Sequence, residues 1–392
     1  MAHSIYLDNN ATSVIDARVV QAMRDLELNG IANPASQHRA GRQALRHLEL
    51  AKESILRSVG APVEGMSAAQ IVITSGGTES NNLALHAFTH QKPGLVIVGS
   101  MEHPSLLLAA ELTALCLNPV RQLPAKADGT YDLDRLSELL DSVYSGREAE
   151  DRVALVSLML ANNETGVMND IASVTKLCNR YEVPVHCDVI QAAGKVEIDM
   201  TELGLAALTV NAHKLHGPVG VGALVISTPL EARPTVIGGG QQLGWRAGTE
   251  PVALTVGLAR TLKLAEEARN QGVYDQVKNL RDLFEKLIVE SLDFVTINGG
   301  QSPRVPQTSN MAFVGIDRQA LQMALDLEGV ACSAGAACSS GSSRPSTTLL
   351  AMGLDDSIVS SSLRFSLSRI TTEEEVQQAA KIVINVASKL KR

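Results

Sequence analysis

The chain has few aromatic residues, no long apolar run and no visible targeting segment. Aromatic side chains make up only 3% of its 392 residues, so a flat ligand ring would find few aromatic partners to stack on. No apolar run approaches the roughly 20 residues that a membrane-spanning helix needs. The first residues also lack the basic region and apolar core of a secretion signal. We therefore expect a cytoplasmic protein.

Cysteine and positive charge are also scarce. The five cysteines are an odd number and none forms a Cys-x-x-Cys pair, which argues against a disulfide framework and against a structural zinc site. The net charge of -8 excludes a general attraction to nucleic acid or to anionic membranes. The length, in contrast, exceeds the usual limit for one hydrophobic core and predicts two domains.

Short apolar runs alternate with amphipathic segments over much of the chain. The runs at 94–100, 153–160 and 183–187 predict buried strands, and the segments between them predict helices. Repeated strand–helix units of this kind are typical of a mostly parallel sheet with helices on both faces. We therefore predict an α/β fold, with its site beyond the carboxyl ends of the strands.

A lysine follows one predicted strand, and an aspartate ends another. Lys214 lies between the apolar run 204–210 and a glycine-punctuated turn. Burial there would lower the pKa of its amine, which favours a nucleophile that forms a Schiff base with an aldehyde cofactor. Asp188 ends an earlier strand, where a carboxylate could pair with a protonated pyridine nitrogen. A lysine after a strand is, taken alone, most often a snorkelling surface residue.

A glycine turn near the start of the chain resembles an anion-binding loop. In residues 69–82 a β-rich run meets two glycines, and Thr78 and Glu79 then open a helix. This arrangement presents bare N–H groups and a positive dipole end to an anion. No Gly-Lys-Ser/Thr follows, so the loop suits a cofactor monophosphate better than ATP. An ordinary N-cap is the alternative. Together with Lys214 and Asp188, the turn predicts pyridoxal 5'-phosphate (PLP).

Two further side chains are candidates for the site. His103 follows the strand 94–100, and with so few aromatics its imidazole is a plausible flat partner for a cofactor ring. A loop histidine bonded to the backbone is the alternative. Arg364 lies on a strand predicted at 362–366 and could hold a substrate carboxylate with two hydrogen bonds. A lone strand arginine is usually part of a surface salt bridge.

Residues 330–345 consist almost entirely of Ala, Gly and Ser around two cysteines. Small residues cannot form their own core, so we expect a mobile surface segment. Cys332 follows an apolar run and is assigned to the edge of a packed domain. Cys338 has only small neighbours and is expected to be exposed, which is unusual because free cysteines are commonly buried.

These motifs together resemble the cysteine desulfurases of the class-V aminotransferase superfamily, in the branch that supplies sulfur for iron–sulfur clusters. The resemblance covers nearly the whole chain, and the cysteine segment is similar to that of the long-loop group. The matching motifs are Tyr6-Leu-Asp-Asn-Asn-Ala-Thr, Thr74-Ser-Gly-Gly-Thr-Glu-Ser, Glu102-His, Asn162-Asn-Glu, Asp188 with Gln191, Ala212-His-Lys-Leu-His-Gly-Pro, Arg246-Ala-Gly-Thr and Ala337-Cys-Ser-Ser-Gly.

The resemblance implies the type I fold of PLP-dependent transferases. A large PLP-binding domain with a mostly parallel seven-stranded sheet would span residues 12–258. A smaller α+β domain would combine residues 1–11 and 259–392 and carry the cysteine loop. The resemblance also implies a homodimer.

The resemblance implies a role for each candidate residue. Lys214 would form the Schiff base with PLP, Asp188 would pair with the pyridinium nitrogen, and His103 would stack on the ring and take part in catalysis. The remaining implied cofactor contacts are Asn163 and Gln191 at the phenolate oxygen, Gly77, Thr78 and His213 at the phosphate, Thr249 from a second subunit, and Asn211, which stands where the family usually has Ser or Thr.

The implied reaction converts L-cysteine to L-alanine. Arg364 and Asn163 would bind the substrate, and Cys338 would be the nucleophile that keeps the sulfur as a persulfide for an acceptor or iron–sulfur scaffold protein. A selenocysteine lyase or another class-V aminotransferase is the alternative, although an aminotransferase needs no mobile cysteine. A non-enzymatic scaffold that keeps the fold is a further alternative, but it would not need the reactive amine of Lys214.

Overall fold

The computed structural model describes residues 4–65, 68–91, 93–115, 118–145, 152–227, 229–335 and 345–391. Its strands are β1 (Ile5–Tyr6), β2 (Gln70–Thr74), β3 (Leu95–Gly99), β4 (Val120–Leu123), β5 (Val153–Met159), β6 (Val185–Asp188), β7 (Ala207–Asn211), β8 (Gly222–Ile226), β9 (Val295–Ile297), β10 (Thr308–Phe313), β11 (Val330–Ala331) and β12 (Ser362–Ser366). Its helices are α1 (Ala17–Leu28), α2 (Arg39–Ser58), α3 (Gly77–Gln91), α4 (Pro104–Leu115), α5 (Leu133–Ser145), α6 (Ile171–Asn179), α7 (Val252–Asn270), α8 (Val273–Ser291), α9 (Arg318–Leu327), α10 (Thr347–Ala351), α11 (Asp356–Val359) and α12 (Glu373–Leu390).

Within the described residues, the larger sheet has seven strands in the order β2-β8-β7-β6-β5-β3-β4. β8 runs antiparallel to both of its neighbours, and every other adjacent pair is parallel. The predicted α/β class with a mostly parallel seven-stranded sheet is therefore confirmed. Because the strands β2, β3, β5, β6 and β7 point the same way, their carboxyl ends lie along one edge of the sheet.

Helices cover both faces of this sheet, so its strands are buried on both sides. Neighbouring residues of β5 show the two faces, because side chains alternate along a strand. Val156 belongs to the same core cluster as Ile55, Leu136 and Leu258 of α2, α5 and α7. Leu155 packs on the other face in the cluster that holds α3 and α4. Among the described residues, no helix is long and apolar enough to span a membrane.

A second core lies in the C-terminal part of the chain. β12, β10 and β9 form an antiparallel sheet, and β1 pairs in parallel with β11. Phe284 and Phe313 each make an edge-on contact with Phe365, at ring-centroid distances of 5.1 and 6.4 Å. Ile5 and Leu7 join this core, so the first residues of the chain pack with its C-terminal part. The grouping of residues 1–11 with the smaller domain stays a prediction.

Helix α7 connects the two cores. Its residues Leu258, Leu262 and Ala265 pack in the core of the large sheet, whereas Tyr274 of α8 is the first residue after α7 in the smaller core. The division at residue 258 stays a prediction, and the packing favours a boundary at the end of α7.

Candidate active site

A cavity of about 420 Å³ opens at the carboxyl edge of the large sheet. It lies where parallel α/β sheets place their ligands, beyond the ends of several strands. Nine of the ten predicted cofactor residues line it: Gly77, Thr78, His103, Asn163, Asp188, Gln191, Asn211, His213 and Lys214.

The turn that carries Lys214 follows β7 and is held by a segment near the N-terminus. The Ser13 hydroxyl donates to the His213 carbonyl at 2.8 Å and accepts from the His216 amide at 2.6 Å. His216 has a left-handed backbone, with φ of 64°, which a residue with a side chain seldom adopts. The flanks of Lys214 are therefore fixed to residues 200 positions away in the sequence.

The pKa of Lys214 is lowered to about 8. Burial is the main cause and the Arg364 guanidinium adds to it, whereas the carboxylates of Asp188 and Asp8 oppose it. Since an unperturbed lysine amine titrates near 10.5, the neutral and nucleophilic form of Lys214 is reached at much lower pH. The sequence predicted this condition from the position of the lysine after a buried strand.

Asp188 ends β6 and lies buried against the cavity. Its Oδ2 accepts a hydrogen bond from Asn81 Nδ2 at 2.8 Å, and its Oδ1 accepts one from the Ile190 amide at 2.9 Å. Burial raises the pKa of this carboxyl group and the two hydrogen bonds oppose the rise. A cationic group in the cavity would further stabilise the carboxylate form.

His103 directly precedes α4 and lines the cavity. Its Nδ1 accepts a hydrogen bond from the Ser105 amide at 3.1 Å and lies 2.9 Å from the Ser105 hydroxyl oxygen. Burial, together with the charge of Lys214, lowers the pKa of His103 to about 4. His103 therefore lines the cavity and also bonds to the backbone through Nδ1, and its stacking on a cofactor ring stays a prediction.

The first turn of α3 forms the end of the cavity that the sequence predicted as an anion site. A Cβ atom at Gly77 would overlap Cδ1 of Ile190, so this side chain would have to move to admit any larger residue. Glu79 accepts from the Ser75 amide at 2.7 Å and pairs with Arg246 at 2.9 Å. The first-turn N–H groups of a helix attract an anion at such a position.

Two buried amide oxygens on the cavity wall have no hydrogen-bond partner among the described residues. They are Oε1 of Gln191 and Oδ1 of Asn211. The Gln191 amide nitrogen donates to the Asn10 carbonyl at 3.1 Å and keeps one further hydrogen for another acceptor. Buried polar atoms are normally paired, so the cavity wall is built for a polar ligand.

Arg364 is almost fully buried on β12, at 4% exposure, and so is not part of a surface salt bridge. Its guanidinium donates to the Asn163 carbonyl at 3.0 Å and to Asp8 at 2.7 Å. Its Nε has no partner within the described ranges. Arg364 does not line the 420 Å³ cavity itself, but Asn163, whose carbonyl accepts a hydrogen bond from Arg364, does line it.

The remaining predicted residues lie apart from the cavity. Thr249 is exposed and does not line the cavity of its own chain. Cys332 is 7% exposed and packs in the smaller core, as predicted for the edge of a packed domain. Cys338 and most of the predicted mobile segment lie outside the described residues.

Sequence reasoning missed several residues that support the site. Asn81 carries a usable signal, because residues four apart lie on the same face of a helix, which aligns Asn81 with Gly77 of the predicted anion site. Asp8 lies in one of the motifs, but its pairing with Arg364 joins residues 356 positions apart. Ser13 likewise reaches its partners only through the tertiary fold. No local pattern identifies such long-range contacts.

Comparison with known proteins agrees with this geometry. Residues 5–379 match the family described as aminotransferase class-V. The chain is 35% identical over 393 residues to cysteine desulfurase NifS of Azotobacter vinelandii, a match that covers 99% of this chain and 93% of that protein.

Solved structures match as well. The crystal structure of a NifS-like protein from Rickettsia africae superposes with a TM-score of 0.88 at 30% identity, over 98% of this chain and all of that one. A structure described as SspA in complex with cysteine superposes with a TM-score of 0.76 at 27% identity, over 94% of this chain and all of that one. The predicted family and the predicted enzyme class are confirmed: the chain belongs to the class-V aminotransferase family, among its cysteine desulfurases.

Proposed function

We propose that this enzyme uses PLP to convert L-cysteine to L-alanine and keeps the sulfur as a persulfide on Cys338. A sulfur-acceptor or iron–sulfur scaffold protein in the cytoplasm would then receive the sulfur. The observation that carries the proposal is the grouping of nine predicted cofactor residues around one cavity, with Lys214 at a lowered pKa.

The residues of the cavity fit the three polar parts of PLP. The first turn of α3, with Gly77 and Thr78, would hold the phosphate together with His213. Asp188 would pair with the pyridinium N–H, and the free amide hydrogen of Gln191 would reach the phenolate oxygen, together with Asn163. Bound PLP supplies an aldehyde for a lysine amine and a ring that accepts electrons from the substrate.

The chain's own residues would bind the substrate, transfer protons and supply the nucleophile. Arg364 and Asn163 would bind and orient the substrate carboxylate, and the Lys214 amine would take up and return protons. The Cys338 thiolate attacks the substrate sulfur, so that an S–S bond forms and the Cβ–S bond breaks. The electron pair of the broken Cβ–S bond stays on Cβ, which takes up a proton, and alanine results. Cysteine and the enzyme thiol thus become alanine and a persulfide, and no external oxidant is needed.

Product analysis tests the proposal. Purified protein loaded with PLP should release alanine from L-cysteine, and sulfide in equal amount when a reductant is present. An aminotransferase would instead form a keto acid from the amino donor, and a selenocysteine lyase would release alanine from selenocysteine but hardly from cysteine. Either of these product patterns would contradict the proposal.

A homodimer is part of the proposal. Thr249 would contribute to the partner's phosphate site, which agrees with its exposed position in its own chain. Exposed apolar side chains occur in the same loop and near the cavity, with Ile237 at 87%, Leu243 at 81% and Val219 at 73% exposure. Burial of these side chains against a second copy would remove apolar surface from water.

Asp188→Asn should lower kcat/KM about a hundredfold or more, the scale at which the loss of one preorganised electrostatic partner slows an enzyme. The amide keeps the size of the side chain but lacks the charge that would hold the pyridine nitrogen protonated. The matched control is Asp134→Asn on the exposed face of α5, which should leave the kinetics unchanged. Equal kinetics of the two variants would remove Asp188 from the site.

Covalent attachment of PLP to the apo-protein should become faster as the pH rises and level off above about pH 8. Below a pKa of about 8 the Lys214 amine is protonated and unreactive, and above it the neutral amine predominates. Attachment is followed by borohydride reduction at timed intervals and mass spectrometry of the peptide that contains Lys214. A rate that keeps rising through pH 10 would show an unperturbed lysine instead.

A further inference from the structure

A chain of hydrogen bonds joins two of the predicted cofactor contacts beneath the cavity. Asn81 Nδ2 lies 2.8 Å from Asp188 Oδ2 and 2.9 Å from the Ser105 hydroxyl oxygen. That hydroxyl lies 2.9 Å from His103 Nδ1. Asn81 is fully buried, and Ser105 and Asp188 are nearly so, which shields the chain from competing water.

The donors in this chain can be assigned from the chemistry of its members. An ionised carboxylate only accepts hydrogen bonds, so the amide nitrogen of Asn81 must face Asp188. Its second hydrogen is then available for the Ser105 oxygen. The Ser105 hydroxyl, having accepted that bond, keeps its own hydrogen for His103 Nδ1.

A second donor reaches the same nitrogen of His103. The Ser105 backbone amide, which can only donate, lies 3.1 Å from His103 Nδ1. His103 therefore caps the N-terminus of α4 in the manner of an Asp or Ser N-cap. With two donors directed at Nδ1, the single proton of a neutral imidazole belongs on Nε2. The positive end of the helix also opposes a charge on the ring.

We propose that Asn81 and Ser105 are positioning residues that hold the Asp188 carboxylate and the His103 imidazole in one fixed arrangement, with the imidazole neutral and protonated on Nε2. The catalytic consequence of this arrangement rests on the proposed PLP site. In this arrangement His103 offers a hydrogen-bond donor and has no free acceptor nitrogen in the resting enzyme. The base that takes up a proton from the substrate is then the Lys214 amine.

The ring tautomer of His103 can be determined by NMR without cofactor or substrate. Apo-protein labelled with ¹⁵N-histidine gives separate NMR signals for the two ring nitrogens, and the loss of signals in His103→Asn assigns those of His103. Asn keeps an oxygen for the cap, so this variant should fold. We expect a proton on Nε2 at pH 7 and no titration until well below pH 6. A proton on Nδ1, or a charged ring at pH 7, would overturn the proposal.

The role of Ser105 is tested in the same spectra. Ser105→Ala removes one donor to Nδ1 and should raise the pKa of His103 by about 1, as expected for the loss of one hydrogen bond. Ser105→Thr retains a hydroxyl and should restore the wild-type titration, and Ser142→Ala on exposed α5 should not change it. Identical titration of Ser105→Ala and wild type would refute the role of Ser105. If Ser105→Ala does not fold, two measurements test the proposal instead. They are the ring tautomer of His103 in the wild-type protein and the titration of His103 in Ser105→Thr.

Asn81 is tested with the isosteric variant Asn81→Leu, which removes both donors of the amide. In the PLP-loaded enzyme we expect kcat to fall at least about tenfold, a shifted visible absorption band, and a KM for cysteine within about twofold of wild type, because Arg364 binds the substrate elsewhere. An unchanged band and unchanged kcat would contradict the positioning role. An absence of any PLP absorption in the wild-type protein would instead contradict the proposed cofactor, while leaving the NMR result intact.

Discussion

Lys214→Ala should abolish the release of alanine from cysteine, with a loss of at least about a thousandfold in kcat. Proton transfer by one positioned group contributes about 10²–10⁴-fold on its own, and this variant also loses the amine that we propose to anchor the cofactor. The effect should not arise from unfolding, because removal of a buried amine whose pKa is lowered relieves a desolvation cost. The measurement is a coupled assay for alanine, with circular dichroism to check the fold.

The exposed lysine of α6 provides the matched control for this variant. Lys176→Ala should retain full activity, and borohydride reduction should still fix PLP to the chain. In Lys214→Ala the same reduction should leave no PLP attached. If the Lys214 variant still turns cysteine over at a rate near that of the wild type, the assignment of the cofactor-binding lysine is wrong.

Cys338→Ser should still take up PLP and bind cysteine, but should release no sulfur and carry no persulfide. Only a thiolate can accept the sulfur, and a serine hydroxyl is not ionised at neutral pH. The free-thiol pKa is roughly 8.5, so a nearby cation would have to favour ionisation of Cys338 during the reaction. The measurement is intact-protein mass spectrometry after treatment with cysteine and without a reductant.

Cys332 is the internal control for Cys338. Its side chain packs in the smaller core at 7% exposure, where a thiol is screened from solvent. Cys332→Ala keeps an apolar contact without adding a hydroxyl group to the core, and it should form the persulfide as the wild type does. Extra sulfur on Cys332 would show that the two cysteines have been assigned the wrong way round.

The parts of the site that the sequence predicts are those at the ends of strands. Asp188 ends β6 and Lys214 follows β7, and both lie at the cavity because parallel strands share one carboxyl edge. The turn proposed to hold the phosphate is predictable from its own residues, since glycines mark the passage from β2 into α3. Element ends were less predictable: the strand predicted at 183–187 spans Val185–Asp188.

The contacts that orient these groups depend on the tertiary fold. Arg364 is recognisable as a candidate, but its partner Asp8 is placed beside it only when the N-terminal segment runs alongside β12. The same holds for Ser13, whose hydroxyl bridges the turn around Lys214. Sequence patterns report local periodicity and turn chemistry, and neither specifies which distant segments meet.

A single-turnover experiment tests the transfer of substrate sulfur to this chain most directly. Protein loaded with PLP is mixed with a small excess of L-cysteine without a reductant, and alanine and protein-bound persulfide are measured together over time. We predict that one alanine is released for each chain that gains one sulfur atom, and that peptide mapping places this sulfur on Cys338. Alanine release with no sulfur on the protein, or sulfur on a different residue, would contradict the proposed function.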